Sequence, residues 1–317
     1  MSRFTQIRLL LALVLAFFSQ AAFAQEALPE TLINKVPVME FRLMSYNVNG
    51  LPWPLKANKA PLFDEMARIF QEQRGRGAAP HVLVVQEGFR GDVKQFIENA
   101  GYKFVQKGPN SKVRNEDADS SKPLTNSGLY ILSDFPIVQT DAVVFGSECS
   151  GWDCYANKGV LYVQIDVPGI GLVDIFDTHL NSVGSSGTKT EAVHAAQLKQ
   201  MQITSDFMNS KISTTRPSLF GGDFNIKDNS PIYNNMLNAM QPMHNVGYYC
   251  KSYPQYCELG EGTLLEDLLL TTDHQYYKSG GGVSVFPFFA ATNMKSKLGD
   301  RDLSDHPGLV VNYKFYK

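Results

Sequence analysis

Phe220-Gly221-Gly222-Asp223-Phe224-Asn225 decides how this chain is read, because it sets a carboxylate and a carboxamide two residues apart directly after an apolar run. The preceding Arg216-Pro217-Ser218-Leu219-Phe220 reads as a strand entering a core, and the two glycines are expected to turn the backbone tightly toward a ligand. Asp223 and Asn225 then emerge together at the strand's carboxyl end. An acid placed there orients water or holds a cation, and an amide donates to a phosphoryl oxygen. Gly-Gly-Asp also serves as an ordinary strand-to-loop turn, so the meaning of the stretch depends on what the other strands carry to their ends.

Bulk properties narrow the field. Arg3 and Arg8 precede an apolar run from Leu9 to Phe18, and Ala22-Phe23-Ala24 offers a small-residue cleavage site, so residues 1–24 read as a secretory signal too short to span a bilayer. Residues 25–39 lack periodicity and read as a tether, which leaves 40–317 for one large domain; no later stretch reads as a transmembrane helix. The formal charge of the chain is −2, and the signal removes two further arginines. Such an acidic chain lacks the basic footprint of a protein that tracks nucleic acid. Cys149, Cys154, Cys250 and Cys257 form two close pairs, as expected of two disulfides in an exported protein. All three connectivities remain open, and neither pair has the spacing of a zinc site.

Along the chain, polar residues recur where apolar runs stop. A strand from Glu40 to Val48 ends in Asn47-Val48-Asn49-Gly50, before the proline-held loop Leu51-Pro52-Trp53-Pro54-Leu55. Phe63, Met66, Ala67 and Phe70 follow helical spacing. His81-Val82-Leu83-Val84-Val85-Gln86-Glu87 is a strand buried on both faces, and an acid at its end is costly unless it is paired or holds a cation. Residues 108–124 read as a long polar loop. Strands are expected over 127–132, 137–145, 160–167 and 172–178, and His179 closes the last of them. Residues 188–209 read as the longest helix, with Leu198, Met201, Ser205 and Met208 on its core side. Residues 263–272 read as a strand carrying Asp267. Ser304-Asp305-His306-Pro307 leads into a final strand.

Taken in order, Tyr46-Asn47-Val48-Asn49, Gln86-Glu87, Ser127-Gly128-Leu129, Thr178-His179-Leu180-Asn181, Gly221-Gly222-Asp223-Phe224-Asn225 and Ser304-Asp305-His306-Pro307 resemble the endonuclease/exonuclease/phosphatase superfamily. Ala156-Asn157-Lys158-Gly159 and Ala195-Ala196-Gln197-Leu198-Lys199 resemble its neutral sphingomyelinase branch. The resemblance covers nearly all of residues 40–317. It implies a four-layer α/β sandwich, two mixed sheets face to face with helices outside. It further implies a Mg²⁺-dependent phosphodiesterase, with Mn²⁺ or Co²⁺ able to substitute, in which Glu87 and Asn47 hold the metal. His306 would be the general base, oriented by Asp305 or Asp267, and Asp223 would hold the attacking water. Asn225 would donate to the phosphate, and His179 would contact the phosphoryl group or protonate the leaving side. Lys158, Asn181 and Asn49 would bind substrate. Asp267 and Asn49 depart from the family's usual residues.

A phospholipid substrate at a membrane surface needs contact groups. Phe286-Pro287-Phe288-Phe289 lies where sphingomyelinase-like proteins carry an aromatic hairpin, so Phe288, Phe289 and Trp53 are the expected membrane contacts, with core packing as the rival reading. The competing functions are a secreted deoxyribonuclease, an inositol phospholipid phosphatase and a non-catalytic binding protein on the same scaffold.

Overall fold

The computed structural model describes residue 32 and residues 34–51, 58–114 and 122–317; the expected signal segment 1–24 and Trp53 lie outside the described residues. Two mixed sheets dominate. The first contains β1 (Met39–Asn47), β2 (Val82–Gln86), β3 (Phe104–Lys107), β4 (Tyr130–Ser133), β10 (Glu258–Leu259), β12 (Ser284–Asn293) and β15 (Gly308–Tyr316), in the order β10-β12-β15-β1-β2-β4-β3. The second contains β5 (Ile137–Val144), β6 (Gly159–Val167), β7 (Gly171–His179), β8 (Ser218–Asp223), β9 (His244–Asn245) and β11 (Asp273–Lys278), in the order β5-β6-β7-β8-β11-β9. A short ribbon, β13 (Lys297–Leu298) with β14 (Arg301–Asp302), connects β12 to β15.

Strand alternation builds the layers. Phe41 and Leu43 of β1, Val82 and Val84 of β2, Val173 and Ile175 of β7 and Leu219 of β8 fill one core between the sheets. Their neighbours Met44, Tyr46, Leu83 and Val85 point the other way, onto Leu62, Phe63, Met66 and Phe70 of the helix Ala60–Gly75. Phe176 and Phe220 likewise meet Met201 and Met208 of the helix Thr190–Lys211. The result is the four-layer α/β sandwich. No helix among the described residues is long and apolar enough to cross a membrane.

Because side chains alternate along a strand, Asn47, His179 and Asp223 share the parity of the inter-sheet core. Each is the last residue of its strand, so all three face the slot where the two sheets end. Gly221 and Gly222 belong to β8 rather than to a turn, which corrects the sequence reading. A side chain at Gly221 would meet Val84 of the opposite sheet at 2.9 Å, and one at Gly222 would meet the Thr178 carbonyl at 2.5 Å. Gly222 therefore lets β8 lie close against its neighbour β7, while Gly221 lets the two sheets approach beneath Asp223. There, Gln86 Nε2 spans the sheets, donating to Asp177 Oδ1 at 2.7 Å and to Ser45 Oγ at 3.2 Å.

Three further expectations change. Residues 263–272 contain the helix Leu265–Leu269, with Leu268 and Leu269 inward and Leu264 and Leu270 exposed. Leu198 is exposed; the long helix instead buries Val193, Gln197, Gln200 and Thr204 beside Met201 and Met208. Phe288 and Phe289 lie within β12 at a register shift and not in a hairpin: both are half-buried, and Lys314 Nζ sits 4.4 Å from the Phe288 ring. The hairpin near His306 is the β13–β14 ribbon. The cysteines pair locally, Cys149 with Cys154 and Cys250 with Cys257.

Candidate active site

Register aligns the second sheet's polar residues. His179 on β7 is opposite Asp223 on the parallel β8, and Asp223 is opposite Asp273 on the antiparallel β11. Across the slot, β1 and β2 end side by side at Asn47 and Gln86, with Glu87 following. Asn47 Nδ2 joins the two sheets, donating to Glu87 Oε1 at 3.1 Å and to Asp223 Oδ2 at 2.9 Å. Asn49, Glu87 and Asn225 hold φ values of 49°, 58° and 53°, and they are three of the four described non-glycine residues in the left-handed region. Such backbone is uncommon for a glutamate, and its concentration at one site marks a place where geometry is imposed against local preference.

His306, at the entry to β15, completes the slot. Its Nδ1 meets Asp273 Oδ2 at 2.8 Å, and its Nε2 lies 3.9 Å from Asp223 Oδ2. The partner of His306 is therefore Asp273, which corrects the expectation of Asp267 or Asp305. Asp267 instead caps its own helix, accepting from the Leu264 N–H at 2.9 Å. Asp305 is exposed, and its charge acts on His306 and Glu87. The signal for Asp273 was present in sequence: it opens a run whose buried tyrosines Tyr276 and Tyr277 alternate between two cores.

The acids are crowded. Burial, opposed by the Asn47 hydrogen bond, raises Glu87 above the usual carboxylate range. Burial, and then the charge of Asp273, push Asp223 up. Burial disfavours the His306 imidazolium, but Asp273, Asp223 and Asp305 together outweigh it and raise His306 to about 10. His179 goes the other way: burial, then the positive charges of Lys158 and His306, hold it neutral.

Lys158 Nζ lies 3.1 Å from His179 Nε2 and donates to the Leu180 carbonyl at 3.0 Å; it also pairs with Asp153 Oδ1. A charged ammonium can only donate, so His179 Nε2 accepts and Lys158 is the proton-bearing member of that pair. Asn181, expected to touch substrate, is fully buried and works as a brace: its Nδ2 donates to Asp153 Oδ2 at 3.1 Å and its Oδ1 accepts from the Ser150 N–H at 2.8 Å. Asn225 Nδ2 donates to the Leu180 carbonyl at 3.1 Å, leaving one amide hydrogen for another acceptor. Asn49 Oδ1 is buried and finds no partner among the described residues. Sequence reasoning missed two further braces, Gln197 and Gln200, whose amides tie the long helix to Asn181; their burial on a helix face that should be apolar is the only signal. A cavity of about 320 Å³ opens beside Glu87, Lys158 and His179.

The model of the Endonuclease/Exonuclease/phosphatase family matches residues 44–306, from the strand that ends in Asn47 through His306. The chain belongs to that family. Within it, a sphingomyelinase of Mycobacterium tuberculosis is 24% identical over 294 residues, covering 87% of this chain and 53% of the relative, so the chain spans about half the length of the mycobacterial relatives it matches. Sphingomyelinase C from Streptomyces griseocarneus superposes with a TM-score of 0.62 at 19% identity, over 86% of this chain and 99% of that one. A mutant beta toxin from Staphylococcus aureus with bound magnesium ions gives 0.60 at 20% identity, over 86% and 99%. These likenesses establish the shared fold.

A hard divalent cation suits the donors of this family member. Glu87, Asn47 and Asp223 offer oxygen ligands at the mouth of the slot; Glu87 is raised by burial and Asp223 by burial and the charge of Asp273, and among the described residues no lysine or arginine forms an ion pair with either. Asp223, Asp273 and His306 also bring one ligand atom each within 4.8 Å of the others. His306 Nδ1 is engaged by Asp273, however, so this trio reads better as an oriented histidine facing an acid.

Proposed function

We propose that this chain is an exported, Mg²⁺-dependent phosphodiesterase of the sphingomyelinase type that releases phosphocholine from sphingomyelin. The observation that carries the reading is the His306–Asp273 pair facing Asp223 and Glu87 across the slot between the sheets. Glu87 and Asn47 would hold the ion. Such a cation would polarise the phosphoryl oxygens, stabilise the leaving alkoxide and offset the carboxylates that keep His306 protonated.

The protein's own residues do the rest. Asp273 fixes the ring so that Nε2, the free nitrogen, faces Asp223, and a water held between Asp223 and His306 attacks phosphorus as its proton passes to Nε2. The bond from phosphorus to the ceramide oxygen breaks, and that oxygen takes a proton from the Lys158 ammonium, which turns the N–H it directs at His179 Nε2 toward the leaving side and is reprotonated from solvent. The free amide hydrogen of Asn225 donates to a phosphoryl oxygen. Water and leaving group stand on opposite faces of phosphorus, which is why the residues come from both sheets.

An inositol phospholipid phosphatase needs several cations for its extra phosphates, whereas Lys158 in this cavity is already paired with Asp153. A deoxyribonuclease is disfavoured by the acidic charge, and a non-catalytic binder would have no use for an oriented His306. The reading is tested by incubating the purified protein with sphingomyelin vesicles and Mg²⁺ beside an EDTA control. Metal-dependent phosphocholine release is expected. A folded, Mg²⁺-loaded protein that releases none would sink the lipid assignment and make DNA and phosphoinositides the next substrates.

A further inference from the structure

The proposed reaction uses Glu87, Lys158 and His179 of the cavity and leaves its aromatic lining, Trp152, Tyr155 and Phe89, unexplained. Trp152 and Tyr155 are 62% and 47% exposed, although aromatic side chains of this size are mostly covered in folded proteins. Their ring centres are 5.7 Å apart and the planes meet at 40°, so the rings make a corner and do not stack flat.

This corner is built and held. Both residues lie on the 3-10 turn Gly151–Tyr155, which the Cys149–Cys154 disulfide staples. The Trp152 backbone N–H donates to the Ser186 carbonyl at 2.8 Å, and the indole edge occupies the space where a side chain on Gly187 would stand. Only a glycine at 187, with φ of 69°, lets the indole lie there. The rings are thus ordered before any ligand arrives.

The charges nearby are already spent. Asp153 accepts from Lys158, from Asn181 Nδ2 and from the Ser182 N–H, both of the latter at 3.1 Å, so its carboxylate has little left for a ligand cation. Glu87 belongs to the proposed metal. What remains for a positive head group is the π surface. A primary ammonium held against the two ring faces would lose water from three N–H donors that the faces cannot replace, and would have to reach the hydroxyls of Ser182 or Ser185 instead, whereas a trimethylated nitrogen has no donor to satisfy and binds aromatic faces well.

We propose that Trp152 and Tyr155 form a subsite for a quaternary ammonium and set a preference for choline-headed over ethanolamine-headed phosphodiesters; the second half of this rests on the phosphodiesterase reading above. The chain has two tryptophans, so Trp53→Phe leaves Trp152 as the single indole emitter. That variant is titrated with phosphocholine and with phosphoethanolamine in the absence of lipid. Saturable quenching is expected for both, with phosphocholine binding about tenfold more tightly, and Tyr155→Ala should erase most of that difference.

In a parallel arm, hydrolysis of sphingomyelin and of ceramide phosphoethanolamine is measured in identical detergent micelles. Trp152→Ala should lower kcat/KM about tenfold for the choline lipid and less than twofold for the ethanolamine lipid, while Trp152→Phe keeps most of the preference. Equal affinity for the two soluble head groups, equal losses on the two lipids, or an emission change seen only with vesicles would overturn the proposal; the last would make the corner a membrane contact. If neither lipid is hydrolysed although phosphocholine binds preferentially, the phosphodiesterase reading fails and the subsite stands.

Discussion

Strand β7 carries a buried acid near its start and the candidate site at its end, and the two regions treat charge in opposite ways. Asp174 is fully buried, yet it accepts from Arg216 Nε at 3.2 Å, from Tyr162 OH at 2.8 Å and from Gln164 Nε2 at 3.1 Å. Five residues on, His179 stands beside Asp223 at 3.5 Å and Glu87 at 4.0 Å, and no guanidinium reaches either acid among the described residues. Buried charge is tolerable when it is paired and hydrogen-bonded. One end of the strand is electrostatically finished and serves stability. The other is left electrostatically unfinished, and that incompleteness locates a candidate site better than burial does.

The sharpest break between the two ends should come from His306→Ala. Removing the proposed base is expected to lower kcat about 10²–10⁴-fold in a variant that still folds, although Asp273 loses its partner. A variant that keeps full activity would remove His306 from the mechanism. Asp273→Asn comes next, with a loss on the order of 10²-fold, because the amide still fills the space but no longer holds the imidazole as a carboxylate does. Asp267→Asn is the control: it should leave kcat/KM alone and cost less than about 1 kcal/mol of stability, since the amide oxygen still accepts the Leu264 N–H. If Asp267→Asn were the damaging member of the pair, the assignment of Asp273 would be wrong.

That contrast also shows where the sequence was legible. Asn47, Glu87, His179 and Asp223 each follow an apolar run long enough to be recognised as a buried strand, and His306 leads directly into one, so their placement at the sheet ends could be read directly. Asp267 was misplaced because Leu264 to Leu270 is a short apolar run, and such runs do not distinguish a strand from one turn of helix. Asn181 looked like a substrate ligand because its partners, Asp153 and Gln200, are 28 and 19 residues away and only folding joins them. Gly221 and Gly222 looked like a turn because a glycine needed for sheet approach and one needed for positive φ are the same letter; only the presence of Val84 opposite Gly221 separates the cases.

At the finished end of β7 the effect should be on stability alone. Arg216→Ala leaves Asp174 buried without its cation. Since Arg216 retains 26% exposure, the cost should fall below that of a fully buried pair, roughly 2–3 kcal/mol in urea unfolding. Activity per folded molecule should be unchanged. A fall in kcat comparable to that of Asp273→Asn would mean that the two ends of the strand are coupled, and the division drawn here would collapse.

The smallest effect tests the comparison by pH. His81 sits outside both regions, with Nδ1 accepting the Arg42 backbone N–H at 2.9 Å, which requires a neutral ring. Burial, reinforced by the charges of Arg42 and Arg74, lowers its pKa to about 4, whereas an unfolded histidine titrates near 6.5. Between those values the unfolded chain binds more protons, so stability rises with pH; the His81 contribution is complete above about 6.5 and is lost as pH falls through about 4. The raised carboxylates Glu87 and Asp223 have the opposite sign, contributing below their unfolded pKa and losing that contribution as pH rises through their folded values. The two slopes overlap in the wild type, but His81→Asn isolates one, since an amide oxygen accepts the Arg42 N–H at any pH. Unfolding at pH 7 and pH 4 should show the wild type losing about 1–2 kcal/mol relative to the variant, a figure reduced for the partial exposure of the ring. A constant difference across that range would show that His81 protonates without cost, and that the acid sensitivity of this fold resides in its site.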